Sequence, residues 1–324
     1  CSDENCRPGY DDPRQGVETC GMVEQMNSDE HLLRITGDIF WADHVENVAF
    51  NTFPAAVAPD FKSLRYITSP NMVINDNKNH SPGIDNPGPH LMMNPFSSRC
   101  CQHNHAQGWP YFAENLWMAT PDNGLAAVIY ASSSVTAKVG DGSVVTIKHT
   151  SNYPFEDALN FEITLQKSTA FPLYFRIPGW ANDAFISLNG EKIDIKLEAG
   201  KYLKVNREWS NGDKIQLQLP KKIQVKTWEA NHNSVSVNYG PLTFSLKIGE
   251  NYIKKDSDKT SLHDSKWQKG VNAKEWPSYE IHPTTDWNYG LILNEDPTTS
   301  FEIEIKPWPK DNFPFTTASA PIVL

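Results

Sequence analysis

The segment Thr120-Pro121-Asp122-Asn123-Gly124 divides the 324-residue chain into two textures, and no other feature narrows the possible folds as far. Before it, apolar residues recur at three- and four-residue spacings, the period of one helix face. Val17–Met26, Asp29–Gly37 and Asp38–Ala58 carry this pattern, and Asn27-Ser28-Asp29 predicts a break and a helix cap between the first two. A further helix is predicted over Ala106–Thr120. Residues Ser69 to Ser98 are rich in Asn, Pro and Gly and predict a long, mostly irregular excursion of the kind that is usually functional. After Gly124 come short runs with period-two alternation, namely Ala127–Ala131, Val144–His149, Leu159–Leu165, Leu173–Ile177 and Lys214–Leu219. Turn pairs Asp141-Gly142, Asn189-Gly190 and Asn211-Gly212 punctuate them, a spacing that predicts a β-sandwich. Ser234–Tyr239, Leu242–Ile248 and Phe301–Ile305 predict a second sandwich after about Thr227.

Composition removes several function classes. A net charge of -10 with no basic stripe argues against a nucleic-acid partner. No apolar run approaches the roughly 18 to 20 residues of a membrane helix. The chain opens Cys-Ser-Asp-Glu-Asn-Cys, without Met or a leader-like apolar run, and is expected to begin inside a longer protein. The compartment, whether periplasm, extracellular space or cytoplasm, is therefore left open. Such a chain, expressed alone, is expected to expose apolar helix faces and to aggregate.

The five cysteines, Cys1, Cys6, Cys20, Cys100 and Cys101, all lie in the first third of the chain. A disulfide framework would spread through the domains, so an odd and clustered set points to a local site. Two short motifs hold the chemistry: Glu18-Thr19-Cys20 and Cys100-Cys101. Three thiolates and one carboxylate satisfy a tetrahedral zinc ion. Residues two apart do not share a helix face, so Glu18 and Cys20 can reach one ion only from an extended stretch or a helix start. Adjacent Cys100 and Cys101 are expected to need a turn. The residues alone leave alternatives open: buried cysteines acting as small hydrophobes, a vicinal disulfide, and Glu18 as a surface carboxylate.

At Glu18-Thr19-Cys20 and Cys100-Cys101-Gln102-His103-Asn104 the chain resembles the β-L-arabinofuranosidases of glycoside hydrolase family 127. Asn152-Tyr153-Pro154, Phe175-Arg176-Ile177-Pro178-Gly179-Trp180, Leu188-Asn189-Gly190 and Tyr239-Gly240-Pro241-Leu242 extend the resemblance along the chain. It implies an α+β multidomain protein: the C-terminal part of an (α/α)6 barrel over residues 1–122, then β-sandwich domains over 123–226 and 227–324. It also implies a Zn2+ ion on Glu18, Cys20, Cys100 and Cys101, and a retaining mechanism with Cys100 as nucleophile. The acid/base it implies lies upstream of the E-x-C motif, where Glu4 is the candidate and Asp3, Asp11 and Asp12 are fallbacks. His103, Asn104 and His105 are expected to contact the sugar. Gln102 and His103 stand where many members have prolines, which marks a subgroup. The expected partner is a plant-type glycan with β-linked L-arabinofuranose, and a homodimer through a β-sandwich is a further expectation. Two alternatives are the same chemistry on another sugar, and a non-catalytic carbohydrate-binding protein with a structural zinc.

Overall fold

The structure, a computed structural model, describes residues 16–78, 80, 90–94, 99–229, 232–256 and 269–324. The protein is a mixed α/β, sheet-rich chain with few helices. No described helix is long and apolar enough to cross a membrane.

Helix α1 (Thr19–Thr36) buries Met22, Val23, Met26, Asp29, Glu30 and Leu33, a single stripe at three- and four-residue spacing. It ends where Gly37 adopts a left-handed φ of 68° and its N–H bonds to Leu33 O at 2.7 Å. The break expected at Asn27-Ser28-Asp29 does not occur. Ser28 donates to Glu24 O at 2.7 Å, and Asp29 accepts from Gln25 at 2.8 Å and from His44 at 2.6 Å. The polar groups that would compete with the helix are satisfied inside it or on its neighbour. Asp29 is thus a buried tie to helix α2 (Ile39–Asn47) and not a cap. Asp38 caps α2 by accepting from Phe40 N at 3.0 Å. The helix expected to run on to Ala58 instead passes through a π-helical turn, Val48–Thr52, into a short turn α3 (Phe53–Ala55). Pro54 has no N–H to donate, which disfavours a regular α-helix through this point. Ile35 and Phe40 stand exposed at the α1–α2 corner.

Helix α4 (Arg99–Glu114) starts seven residues before the expected Ala106, so the cysteine pair lies in its first turn. It ends at Glu114, and Trp117–Ala119 is already a strand. Gly108 lets α4 press onto α3, because a Cβ there would fall 2.4 Å from the Phe53 ring.

Two sheets enclose the main core. One orders Lys201–Trp209, Thr169–Ile177, Leu125–Ala127 and Trp117–Ala119. The other orders Glu191–Lys192, Phe185–Leu188, Lys214–Gln218, Ala158–Leu165, Ser143–Thr150 and Ser133–Val139. Phe171, Leu173 and Phe175 of the first and Val145, Ile147, Phe161 and Ile163 of the second belong to one buried cluster, which α1 and α2 join. The period-two runs Val144–His149, Leu159–Leu165, Leu173–Ile177 and Lys214–Leu219 fall on these strands, whereas the run expected at Ala127–Ala131 leaves the sheet after Ala127.

The strands after 227 behave differently from the expected second pair of facing sheets. Among the described residues they fall into small sheets. One of these orders Glu250–Lys255, Ser278–Pro283, Met92–Met93 and Leu64–Arg65, and so recruits the region before Ser98. Glu250–Lys255 is exposed along nearly its whole length, so it has no inward face on which a self-contained core could form.

Candidate metal centre

The strand Val17–Glu18 pairs antiparallel with Ile67–Thr68, and α1 begins at the next residue. Glu18 is therefore extended (φ -71°, ψ 141°) while Cys20 is already helical. This is the strand-to-helix start that an i, i+2 pair needs to reach one point. Glu18 occupies the N-cap position, yet its carboxylate makes no cap hydrogen bond and points instead toward the cysteines.

Cys100 and Cys101 reach the same place from the first turn of α4. One ligand atom from each of Glu18, Cys20, Cys100 and Cys101 lies within 4.8 Å of every other. Cys101 is the hub: its Sγ is 3.5 Å from Cys20 Sγ, 4.0 Å from Cys100 Sγ and 3.8 Å from Glu18 Oε1. A tetrahedral ion with metal–sulfur bonds of about 2.3 Å requires ligand–ligand edges of about 3.8 Å. The three edges bracket that value. The sulfur–sulfur edges are far too long for a disulfide.

The electrostatics lead the same way. The hydrogen bond from Cys101, then burial, then the charge of Cys101 and Glu18 push the Cys20 thiol far above the ordinary thiol range. Three thiols and a carboxylate repel one another when ionised, and a cation among them reverses the sign of every one of these interactions. The chemistry of the donor set thus fits a metal ion. An apolar shell of Leu64, Tyr66, Ile67, Leu91 and Met93 surrounds Cys101. Glu18 and Cys101 are buried, Cys20 is half-buried and Cys100 is exposed. The centre therefore opens to solvent at Cys100.

The remaining expected site residues divide. His103 is exposed and Asn104 half-buried, both one turn beyond Cys100 on the face it occupies. His105 turns away and stacks on Phe53, with centroids 4.5 Å apart. Burial lowers its pKa, and its Nε2 has no hydrogen-bond partner. Glu4, Asp3, Asp11, Asp12, Cys1 and Cys6 lie outside the described residues.

A second polar cluster, which has no local signature in the sequence, lies against α2. Arg176 is fully buried and ion-pairs with Asp43 and Glu46 of α2. Glu46 also accepts from Tyr130 N at 3.1 Å and Tyr153 Oη at 2.5 Å, while Asp43 accepts from Gly179 N at 2.8 Å. The Asn-Tyr-Pro and Phe-Arg-Ile-Pro-Gly motifs thus converge on one helix.

Glu30, on α1, accepts from Asn115 at 2.7 Å, and its other oxygen has no partner. Burial raises its pKa from 4.5 to about 8. The folded state then binds more protons than the unfolded chain between these values, so stability falls as pH rises across that window. At about 1.4 kcal/mol per pKa unit, the loss across the window is on the order of a few kcal/mol. Glu30→Gln is expected to flatten this fall. Urea midpoints at pH 5 and pH 8 check it, and equal slopes in both proteins would refute the assignment.

The sequence matches the β-L-arabinofuranosidase GH127 catalytic domain over residues 1–114 and the GH127 middle domain over 124–221. Similar solved structures include a glycoside hydrolase (20% identity, TM-score 0.63, 86% of this chain and 51% of that one). A GH127 β-L-arabinofuranosidase from Geobacillus stearothermophilus T6 is 19% identical, with a TM-score of 0.61, over 84% of this chain and 48% of its own. A GH127 β-arabinofuranosidase is 18% identical, with a TM-score of 0.57, over 84% and 47%. The chain thus spans about half the length of the solved structures it matches. No curated protein matches the sequence.

Proposed function

Because the chain belongs to glycoside hydrolase family 127, we propose that it supplies the zinc–thiolate centre of a retaining glycosidase that releases β-linked L-arabinofuranose from glycans. In this reading residues 1–122 contribute to an (α/α)6 barrel, and 123–226 are a β-sandwich domain. One observation carries the proposal: four donors from two distant motifs converge at tetrahedral spacing, and only Cys100 among them is exposed.

Glu18, Cys20, Cys100 and Cys101 would hold Zn2+. The ion would supply a cationic field that keeps the thiols deprotonated near neutral pH. Cys100 Sγ attacks the anomeric carbon from the open side, and the glycosidic C–O bond breaks. The leaving oxygen takes a proton from an acid for which Glu4 stands as the candidate. Water, deprotonated by the same group, then displaces the sulfur, and two inversions retain the anomeric configuration. His103 and Asn104 are proposed to meet the sugar, being on the same helix face as Cys100. His105 is proposed to orient α4 through Phe53.

The competing reading is a structural zinc, and the completeness of the four-ligand set is the observation in its favour. Turnover by the zinc-loaded protein separates the two. For the glycosidase, the purified protein is expected to carry one zinc per chain. Chelation is expected to abolish hydrolysis of an aryl β-L-arabinofuranoside, and added zinc to restore it. Zinc-loaded, folded protein with no turnover of any aryl glycoside would leave only the structural role.

A further inference from the structure

Thr19 stands between the two ligands of the E-x-C motif, at the residue where extended backbone becomes helix. The angle at that junction sets how the Glu18 and Cys20 side chains converge. Thr19 is fully buried. Its N–H bonds to Tyr66 O at 3.0 Å, and its hydroxyl donates to Arg65 O at 2.6 Å. As the first residue of α1 it has a backbone donor without an intrahelical acceptor, and Tyr66 supplies one. Together with the pairing of Val17–Glu18 on Ile67–Thr68, these bonds hold three consecutive residues in register against 65–68.

The acceptor is itself anchored. Arg65 N bonds to Ala56 O at 2.7 Å, and the Arg65 guanidinium donates to Ala55 O. With the Asn75 amide oriented to satisfy its neighbours, its oxygen accepts from Arg65 Nη2 and Nε at 3.0 and 2.9 Å. Asn75 exchanges backbone hydrogen bonds of 2.9 and 2.8 Å with Ile281, in the strand Ser278–Pro283. A hydrogen-bonded path therefore runs from the C-terminal sheet through Asn75 and Arg65 to the residue between two metal ligands.

We infer that Thr19 is a positioning residue for the metal centre, and that its hydroxyl latches the Glu18–Cys20 junction onto a backbone carbonyl which the C-terminal sheet holds in place. The inference rests on the metal reading above and adds to it a role for the C-terminal strands. It predicts that the hydroxyl governs metal affinity without touching the metal, as outer groups that orient ligands do.

The test uses zinc competition against a chromophoric chelator and the visible spectrum of the cobalt-substituted protein. Thr19→Val keeps the shape and the backbone bond but removes the hydroxyl. It is expected to weaken zinc binding by about 10- to 100-fold and to alter the cobalt bands that report tetrahedral geometry. Thr19→Ser restores the donor and is expected to recover both. Asn75→Ala, which loosens the anchor and leaves Thr19 intact, is expected to shift affinity the same way by less, and it carries the test if Thr19→Val does not fold. Wild-type affinity and spectrum in Thr19→Val, or in Asn75→Ala where Thr19→Val is unfolded, would overturn the inference alone. A serine variant as impaired as the valine variant would also overturn it. A wild-type protein that binds neither zinc nor cobalt would overturn the metal reading and this inference with it.

Discussion

Replacing Cys100 by serine is expected to lower kcat for an aryl β-L-arabinofuranoside by about three orders of magnitude or more, while folded protein and most of the bound zinc persist. The expectation follows from an asymmetry within the centre. Cys101 contacts each of the other three donor groups from a buried position, whereas Cys100 occupies the solvent side. Losing the hub would dismantle the site, but losing the outer donor leaves Glu18, Cys20 and Cys101 able to retain an ion with an oxygen ligand in the fourth position. Serine is also far less ionised than a thiol at neutral pH, so it cannot replace the nucleophile, and removing a nucleophile outright has cost other hydrolases a similar or larger factor. Cys101→Ser is the contrasting case, in which zinc content itself should fall. Zinc analysis and steady-state kinetics on both variants distinguish these outcomes. A Cys100→Ser enzyme with full turnover would end the nucleophile assignment, and equal zinc loss in both variants would remove the hub argument.

Much of this centre was legible because its constraints are local. An i, i+2 pair of ligands demands a strand-to-helix junction, and the chain provides one at Glu18-Thr19-Cys20. The strands Ser143–Thr150, Ala158–Leu165, Thr169–Ile177 and Lys214–Gln218 were legible for the same reason, since alternation along each strand reports its buried face without knowledge of its partner. What escaped depended on partners far away in sequence. Asn27-Ser28-Asp29 has the composition of a helix break, and the Gln25 amide together with the His44 ring, brought up by α2, makes a buried Asp29 tolerable within α1. Met92 pairs with Tyr279 across a separation no periodicity can register. The C-terminal segment therefore read as an independent sandwich, when part of it forms a sheet with Leu64–Arg65. Thr19 and Glu46 went unnoticed because their acceptors and donors, at Arg65, Tyr130, Tyr153 and Arg176, carry no local signature.

Arg176→Met is expected to destabilise the fold by about 3 to 5 kcal/mol, the range seen when one partner of a buried ion pair is removed. Thr169–Ile177 buries Phe171, Leu173, Phe175 and Ile177 on one face, and Arg176 on the other is buried as well and pairs with α2. Burial disfavours its charge, but Glu46 and Asp43 more than offset this and hold the guanidinium pKa above its ordinary value. Removing the cation strands the fully buried Glu46 beside Asp43, and Glu46 can then escape only by taking up a proton. The same reasoning predicts non-additivity. Glu46→Leu alone leaves Arg176 with the half-buried Asp43, whereas the double variant Arg176→Met/Glu46→Leu removes both charges at similar volume and should be more stable than the Arg176→Met single variant. Because Tyr130, Tyr153 and Gly179 also converge on these carboxylates, the loss should appear as a lower urea midpoint with an unchanged m-value, the mark of altered stability in one cooperative unit. An Arg176→Met protein within about 1 kcal/mol of the wild type would show that the network is screened by solvent rather than sealed between helix and sheet.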